Sequence, residues 1–499
     1  MDQNLKQQKR MDLAVYIGLA FAAAILTFVA CPFSPIFRYC YEPDEICYLV
    51  VSRGWLNGKI PYRDLFDHKG PLTYVFYALG LLLSNQASWG IWIVFTGINI
   101  GSFLLIYKNM RILFDPYRSW AAISFLFCFF FIKSPALFAS GSKPEHIILL
   151  FLLLSENIVL KRIREGKKAS GRDMLLIGLC AGSVLAIKMN ICIYYLCFVG
   201  GYFIWLLTRK EWKVFFRNCG AFVGGIGLIV APIAAYYAAS KSLKDLIYAY
   251  FEFNMTYART GGLKLHFSRQ WISDHNQIAI FILFCLMVIS AFLFLHQKKH
   301  RLHNVIIVFL GFVVYFFLTL PEVFAYSFCV MIPLYLLGLG YLADITVAML
   351  PSKKLQVVLS GLLIFVLCCF CLGKLFLHPM LPLKKSDLEN SMLTYYENHP
   401  DSDCLYFTNL CDLFFYDYST KTPSYKQFYM PREGTGTMYT EQIEYIRQGI
   451  PDIVALYRTP DIDDEFMLKL DIFFAENGYS LYFDDSEDTL YYIYVRTET

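Results

Sequence analysis

Charge is what this chain has least of. Only 17% of its 499 residues are Asp, Glu, Lys or Arg, against about a quarter in soluble domains. The formal net charge of +4 is too small for the basic footprint of a nucleic-acid binder, so no nucleic acid is expected as a partner. Metal and nucleotide patterns are missing too. No Cys/His zinc spacing occurs, and the CxxC spacing of Cys368 and Cys371 lies inside an apolar run. Many of the cysteines (Cys128, Cys180, Cys192, Cys197, Cys368, Cys369) lie inside apolar runs, where Cys packs as a small hydrophobe. No GxGxxG or GxxxxGK[ST] stands in a strand–turn–helix setting, which argues against a nucleotide site. The first apolar run ends at Cys31-Pro32 without a small-x-small cleavage site and is read as a retained helix. Cys40 with Cys47, and Cys404 with Cys411, are the pairs that an oxidising compartment would allow to bridge, but spacing alone does not decide disulfide geometry.

What is abundant is apolar and aromatic. With 57% hydrophobic and 18% aromatic residues and a mean hydropathy of +0.46, the chain reads as a polytopic α-helical membrane protein. Runs long enough to span fall near 12–31, 87–107, 119–139, 145–160, 174–189, 190–208, 219–238, 276–296, 303–320, 326–348 and 355–373. That makes about eleven spans and puts the two ends on opposite sides. With the N-terminus cytoplasmic, 21 of the 44 lysines and arginines fall in short inner segments, as the positive-inside rule requires. The first loop, 32–86, and the C-terminal residues then lie outside. The loop is expected to hold interfacial helices, one over Thr73 to Leu83 lying flat on the membrane. Tyr248, Tyr250, Phe251, Phe253, Asn254, Tyr257 and Arg259 mark a second outer loop suited to the headgroup region.

The domain boundary is expected at 375/376, between a transmembrane domain with its large first loop and a C-terminal α/β domain. Cys404–Phe407 and Asp452–Leu456 read as buried strands, Thr440–Gly449 as a helix opened by Thr and closed by Gly, and 479–483 with 490–495 as a hairpin.

Candidate chemistry collects on the outer side. Asp44 and Glu45 follow the first span; each is either a general base near the headgroups or an acid at the start of an interfacial helix. His68 and Lys69 precede Pro71, and the lysine either binds a phosphate or snorkels. Lys143, Glu145, Lys188, Glu322 and Tyr326 lie in or beside short outer turns. For Glu145 the alternatives are helix capping through the dipole or a second acid facing Asp44. For Lys188 they are phosphate binding or snorkelling.

In this order the residues resemble the GT-C membrane glycosyltransferases, in particular the bacterial relatives of protein O-mannosyltransferases and the lipid A aminoarabinose transferase. Asp44-Glu45 resembles the family's first-loop acidic pair. Asp67-His68-Lys69-Gly70-Pro71-Leu72 is similar to its D-x-K-x-P-L stretch. Pro144-Glu145 resembles its "PE" span entry, and Gly178 to Gly182 through Lys188 its glycine–lysine span. Cys47 and Tyr48 stand where some relatives carry an arginine. The resemblance implies a polyprenyl-phosphate-linked sugar as donor, a glycan, lipid or protein as acceptor, and inverting transfer with Asp44 as base. Lys69 and Lys188, backed by His68, Lys143 and Arg259, would hold the donor phosphate. Glu145 would orient the acceptor or support the base, Glu45 would shape the catalytic loop rather than react, and Glu322 and Tyr326 would meet the acceptor. The implied location is a bacterial inner membrane. No cofactor is assigned; a divalent metal stays open, with no dedicated ligand set visible. A polytopic transporter or flippase for lipid-linked sugars is the competing class, against which stand the lack of an internal repeat and the scarcity of mid-span charge.

Overall fold

The computed structural model describes residues 2–114, 140–260 and 387–497, with short interruptions at 38–39, 41, 85–86, 196–198, 408–412, 432–433, 459–463 and 485–490, together with a few residues near 330 and Leu355. Along the chain run α1 (Asp2–Ala30), α2 (Pro43–Leu56), α3 (Pro71–Leu83), α4 (Trp89–Leu113), α5 (Pro144–Glu165), α6 (Gly171–Leu185), a 3-10 helix (Met189–Tyr194), α7 (Gly201–Thr208) and α8 (Trp212–Ala239). Then come α9 (Leu243–Leu246), a π-helical turn (Ile247–Glu252), α10 (Phe253–Thr260), α11 (Asp387–Asn398), β1 (Cys404–Phe407), α12 (Phe414–Tyr418), α13 (Gly436–Arg447), β2 (Ile453–Tyr457), α14 (Asp464–Glu476), β3 (Tyr479–Asp484) and β4 (Tyr491–Arg496).

Three of the described helices are long and apolar enough to cross a bilayer: Gln8–Ala30, Trp89–Ile112 and Trp212–Ala239, with 23, 24 and 28 residues. Each overlaps an expected span. The expected span 190–208 differs, because it opens as a 3-10 helix and its α7 has only eight residues. Lys188, just before the 3-10 helix, has an extended backbone (φ −151°) that separates it from α6. The expected spans 119–139, 276–296 and 303–320, and nearly all of 326–348 and 355–373, lie outside the described residues.

The contacts divide the chain into two compact units that do not follow chain order. One comprises residues 1–31, 93–235 and 258–378; the other comprises 32–92, 236–257 and 379–499. In the first unit α6 packs closely on α8. A Cβ at Gly178 would overlap the Phe222 carbonyl, and one at Gly225 the Leu175 carbonyl, so small residues let the two backbones touch. The N-terminus of α6 is fixed by a reciprocal Ser170–Asp173 capping box, with Arg162 held on Asp173 at 2.8 and 3.0 Å.

The second unit joins the first loop, the 236–257 segment and the C-terminal residues. Its four-stranded sheet has the order β1-β2-β4-β3, with β1 parallel to β2 and the remaining pairs antiparallel. Phe474 of α14 stacks on Tyr494 of β4 at 4.1 Å between ring centroids. All four strands lie where the buried apolar runs and the acidic turn place them, to within a residue or two. The helix expected at Thr440 instead begins at Gly436, with Thr435 at the N-cap position but no side-chain capping bond; Thr440 lies inside it with its hydroxyl on the Gly436 carbonyl. Gly449 does close it, at φ +62°, a conformation that favours glycine. The helix expected over Thr73 to Leu83 is α3, which turns Leu79, Leu82 and Leu83 outward while burying Tyr74, Tyr77 and Leu81.

The first loop is fastened to the C-terminal segment by backbone and charge. Arg53, fully buried, donates to the Tyr416 carbonyl at 2.6 Å. Cys40 N–H donates to Asp417 at 2.7 Å, Phe66 N–H to the Lys426 carbonyl at 2.9 Å, and Lys59 to the Pro423 carbonyl. Burial pulls the Arg53 guanidinium down to about 10 even with Asp417 nearby. Cys40 and Cys47 are both buried thiols with no disulfide between them; Cys411 lies outside the described residues.

Candidate functional site

The candidate residues form two clusters, one in each unit. In the second unit, α2 opens with Pro43 at its first position and Asp44 and Glu45 in its first turn, where the helix dipole favours acids. Asp44 is half-buried and Glu45 fully buried. Asp44 shares its surroundings with Cys47, Asp67 and Tyr429, whose ionisation its charge opposes.

Asp67, 2% exposed, is the most heavily bonded acid there. It accepts hydrogen bonds from His68 N–H at 2.7 Å, the Tyr74 hydroxyl at 2.9 Å and the Tyr429 hydroxyl at 3.2 Å. Burial pushes its carboxyl above the usual carboxylate range; Lys69, the His68 N–H and the Tyr74 hydroxyl oppose the shift, and Asp44 adds to it. Lys69 Nζ lies 2.8 Å from His68 Nε2 and 5.9 Å from the centre of the Tyr48 ring. An ammonium can only donate, so Nε2 accepts and the imidazole proton sits on Nδ1, facing Asp67 Oδ1 at 3.5 Å. The 236–257 segment supports this imidazole: Phe253 lies at 5.5 Å between ring centroids, and Asn254 donates to the His68 carbonyl at 2.7 Å. Tyr62 holds the loop from behind. Its backbone is left-handed (φ +70°) and its buried hydroxyl donates to the Lys69 carbonyl at 2.6 Å. A bulky residue in that conformation is strained by roughly 1–2 kcal/mol.

In the first unit, the turn Ser140–Lys143 leads into α5. Asn99 of α4 ties the turn down, donating to the Gly141 carbonyl at 2.8 Å and to Thr27 at 3.0 Å, while its carbonyl oxygen meets His146 Nδ1 at 2.8 Å. Glu145, 3% exposed, sits in the first turn of α5 and makes a 2.7 Å ion pair with Lys188. Lys143 is buried close by, its charge favouring the Glu145 carboxylate, and Cys329 lies beside the pair.

Asp44, His68 and Lys69 are thus brought together, with Glu45 on the same helix turn. Glu145, Lys188 and Lys143 are likewise brought together. Arg259 lies on α10, its side chain outside the described residues; Glu322 and Tyr326 lie outside them entirely. Asp67, Tyr74, Tyr429 and Asn99 were not among the candidates. For Asp67 a signal existed, an acid two residues before a lysine at the entry to an apolar helix; for Tyr429, 362 residues further on, none did. Among the described residues, no group of three or more His, Cys, Asp or Glu side chains is placed to hold a metal ion.

This architecture is the GT-C fold of a polytopic, multi-pass helical membrane protein. The chain is similar to ArnT from Cupriavidus metallidurans bound to undecaprenyl phosphate, with a TM-score of 0.57 and 12% identity over 97% of each chain. Against the apo state of that ArnT the TM-score is 0.56, at the same identity and coverage. Archaeal oligosaccharyltransferase AglB from Archaeoglobus fulgidus, solved with an inhibitory peptide and a dolichol-phosphate, aligns at a TM-score of 0.48 and 13% identity, covering 96% of this chain and 74% of that one. No protein-family model matches the sequence, and no curated protein matches it.

Proposed function

We propose that this protein is an integral-membrane glycosyltransferase that moves a sugar from a polyprenyl-phosphate carrier to a nucleophile on a glycan, lipid or protein at the outer face of a bacterial inner membrane. The observation that carries the proposal is the grouping of half-buried Asp44 with buried Asp67 and the cation of Lys69, on a fold shared with a protein solved bound to undecaprenyl phosphate.

Asp44 is the general base. It takes the proton from the acceptor as the acceptor attacks the anomeric carbon, and the configuration inverts. The departing lipid phosphate needs no proton, so a second carboxyl acting as acid is not required. It needs positive charge, and Lys69 supplies it. Lys69 suits this role better than Lys188, because its hydrogen-bond partner is a neutral imidazole whereas Lys188 is committed to Glu145. Glu145 and Lys188 then brace the first unit as a pair, and Glu45, wholly buried, holds the first turn of α2.

The proposed topology has eleven spans, an inner N-terminus and an outer C-terminal α/β domain beginning near 376. Two observations support it. The first loop, the 236–257 segment and the C-terminal residues belong to one compact unit and so share a side of the membrane, and the expected spans between them number six and then four, both even.

Asp44→Asn tests the reaction. Transfer from an undecaprenyl-phosphate sugar should fall by about 10²–10⁴-fold with protein abundance unchanged. Normal turnover in this variant removes the proposed base.

A further inference from the structure

We propose that Tyr429, contributed by the C-terminal segment, is a positioning residue that holds Asp67 in place and in its ionised form, so that the C-terminal segment completes the site rather than serving as a separate module. Three observations carry this. The Tyr429 hydroxyl donates to Asp67 Oδ1 at 3.2 Å while Tyr74 donates to Oδ2 at 2.9 Å, so the two phenols clamp the carboxylate from different chain segments. Tyr429 is 3% exposed and shares its pocket with Cys47 and Asp44 of α2. The strand of chain that carries it is fixed three residues earlier, where the Lys426 carbonyl accepts from Phe66 N–H at 2.9 Å. Phe66 directly precedes Asp67, so the C-terminal segment grips this acid through both backbone and side chain.

The ionisable groups around Asp67 are Asp44 and Cys47 of α2, Tyr62, His68 and Lys69 of its own loop, Tyr74 of α3 and Tyr429. Burial and Asp44 oppose the carboxylate, while Lys69, the His68 N–H and Tyr74 favour it; the Tyr429 hydroxyl, donating to Oδ1, acts in the same direction by its geometry. Removing one phenol donor therefore makes the proton harder to remove, and the titration of Asp67 moves to higher pH.

The test is infrared difference spectroscopy on the full-length protein in detergent, titrated from pH 8 to pH 4 (about the range in which a raised carboxyl titrates). A carboxylic-acid C=O band lost in Asp67→Asn assigns the signal. In Tyr429→Phe the midpoint of that band should rise by about one pH unit, the size expected for losing one hydrogen bond to a charged acceptor. Tyr74→Phe should move it in the same direction, which keeps the donor pair testable if Tyr429→Phe folds poorly by thermal melting. An unchanged midpoint in the folded variants, or no band that depends on Asp67, overturns the proposal. The consequence for catalysis, an acid limb of the kcat–pH profile shifted upward in Tyr429→Phe, rests on the glycosyl-transfer reading. The infrared titration uses neither lipid nor sugar, so that reading can fail while the clamp stands, and the reverse.

Discussion

Glu145 and Asp67 are both buried carboxylates with a lysine close at hand, and each opens or precedes a helix with a proline at its first position. Their compensation differs. Glu145 has a cation on its oxygen at 2.7 Å, so charge is cancelled where it sits. Asp67 is held by two phenols and a backbone N–H, which satisfy its lone pairs without neutralising it. Lys69 correspondingly spends its hydrogen bond on His68. A fully paired cluster is a brace, because taking either partner away leaves a buried charge. A cluster satisfied by neutral donors keeps its lysine available for an incoming anion. Under the proposed function, this difference makes the first unit's cluster structural and the second unit's the one that meets ligand.

The largest effect expected from this contrast is on stability. Lys188→Met leaves the Glu145 carboxylate buried without its cation, and a loss of roughly 3 kcal/mol follows from the cost of breaking one side of a buried pair. Adding Glu145→Gln should return most of it, and a double-mutant cycle measured by thermal or denaturant unfolding gives the coupling directly. If the two losses simply add, the pair is no brace and Lys188 returns as a phosphate ligand.

Next in size is Lys69→Ala. Here the stability loss should be smaller than for Lys188→Met, because the Lys69 charge favours buried Asp67 without touching it. Undecaprenyl phosphate, titrated as a probe, should bind at least tenfold more weakly, the effect of losing one charge-assisted contact. A destabilised variant that still binds the probe normally would reverse the assignment of the two clusters.

Local structure was readable in the sequence where it depends on neighbours in the chain. Pro43 and Pro71 open α2 and α3, short apolar runs mark β1 and β2, the acidic turn marks the β3–β4 hairpin, and Gly449 ends α13. The start of α13 was misplaced because Gly436 and Thr437 are poor helix formers, and tertiary packing of Met438 and Gln442 into the core overrides that preference. The composite second unit was not readable at all. Arg53 meets Tyr416 across 363 positions and Tyr429 meets Asp67 across 362, and no periodicity or motif encodes a pairing at such a distance. The acids and lysines of the site were visible as outliers in an apolar chain; the tyrosines that position them were not, because with 36 tyrosines in the sequence no single one stands out.

The smallest expected effect sharpens the role of the neutral partner. His68→Ala removes the acceptor of Lys69 and the ring stacked near Phe253. If the imidazole only orients the lysine, the ammonium still reaches a phosphate through its flexible stem. Binding of undecaprenyl phosphate should then weaken by no more than about threefold, well under 1.4 kcal/mol. A loss as large as that of Lys69→Ala would mean that His68 itself contacts the phosphate. The two lysines would then differ in how many groups they recruit to the anion, and no longer in whether they are free to meet it.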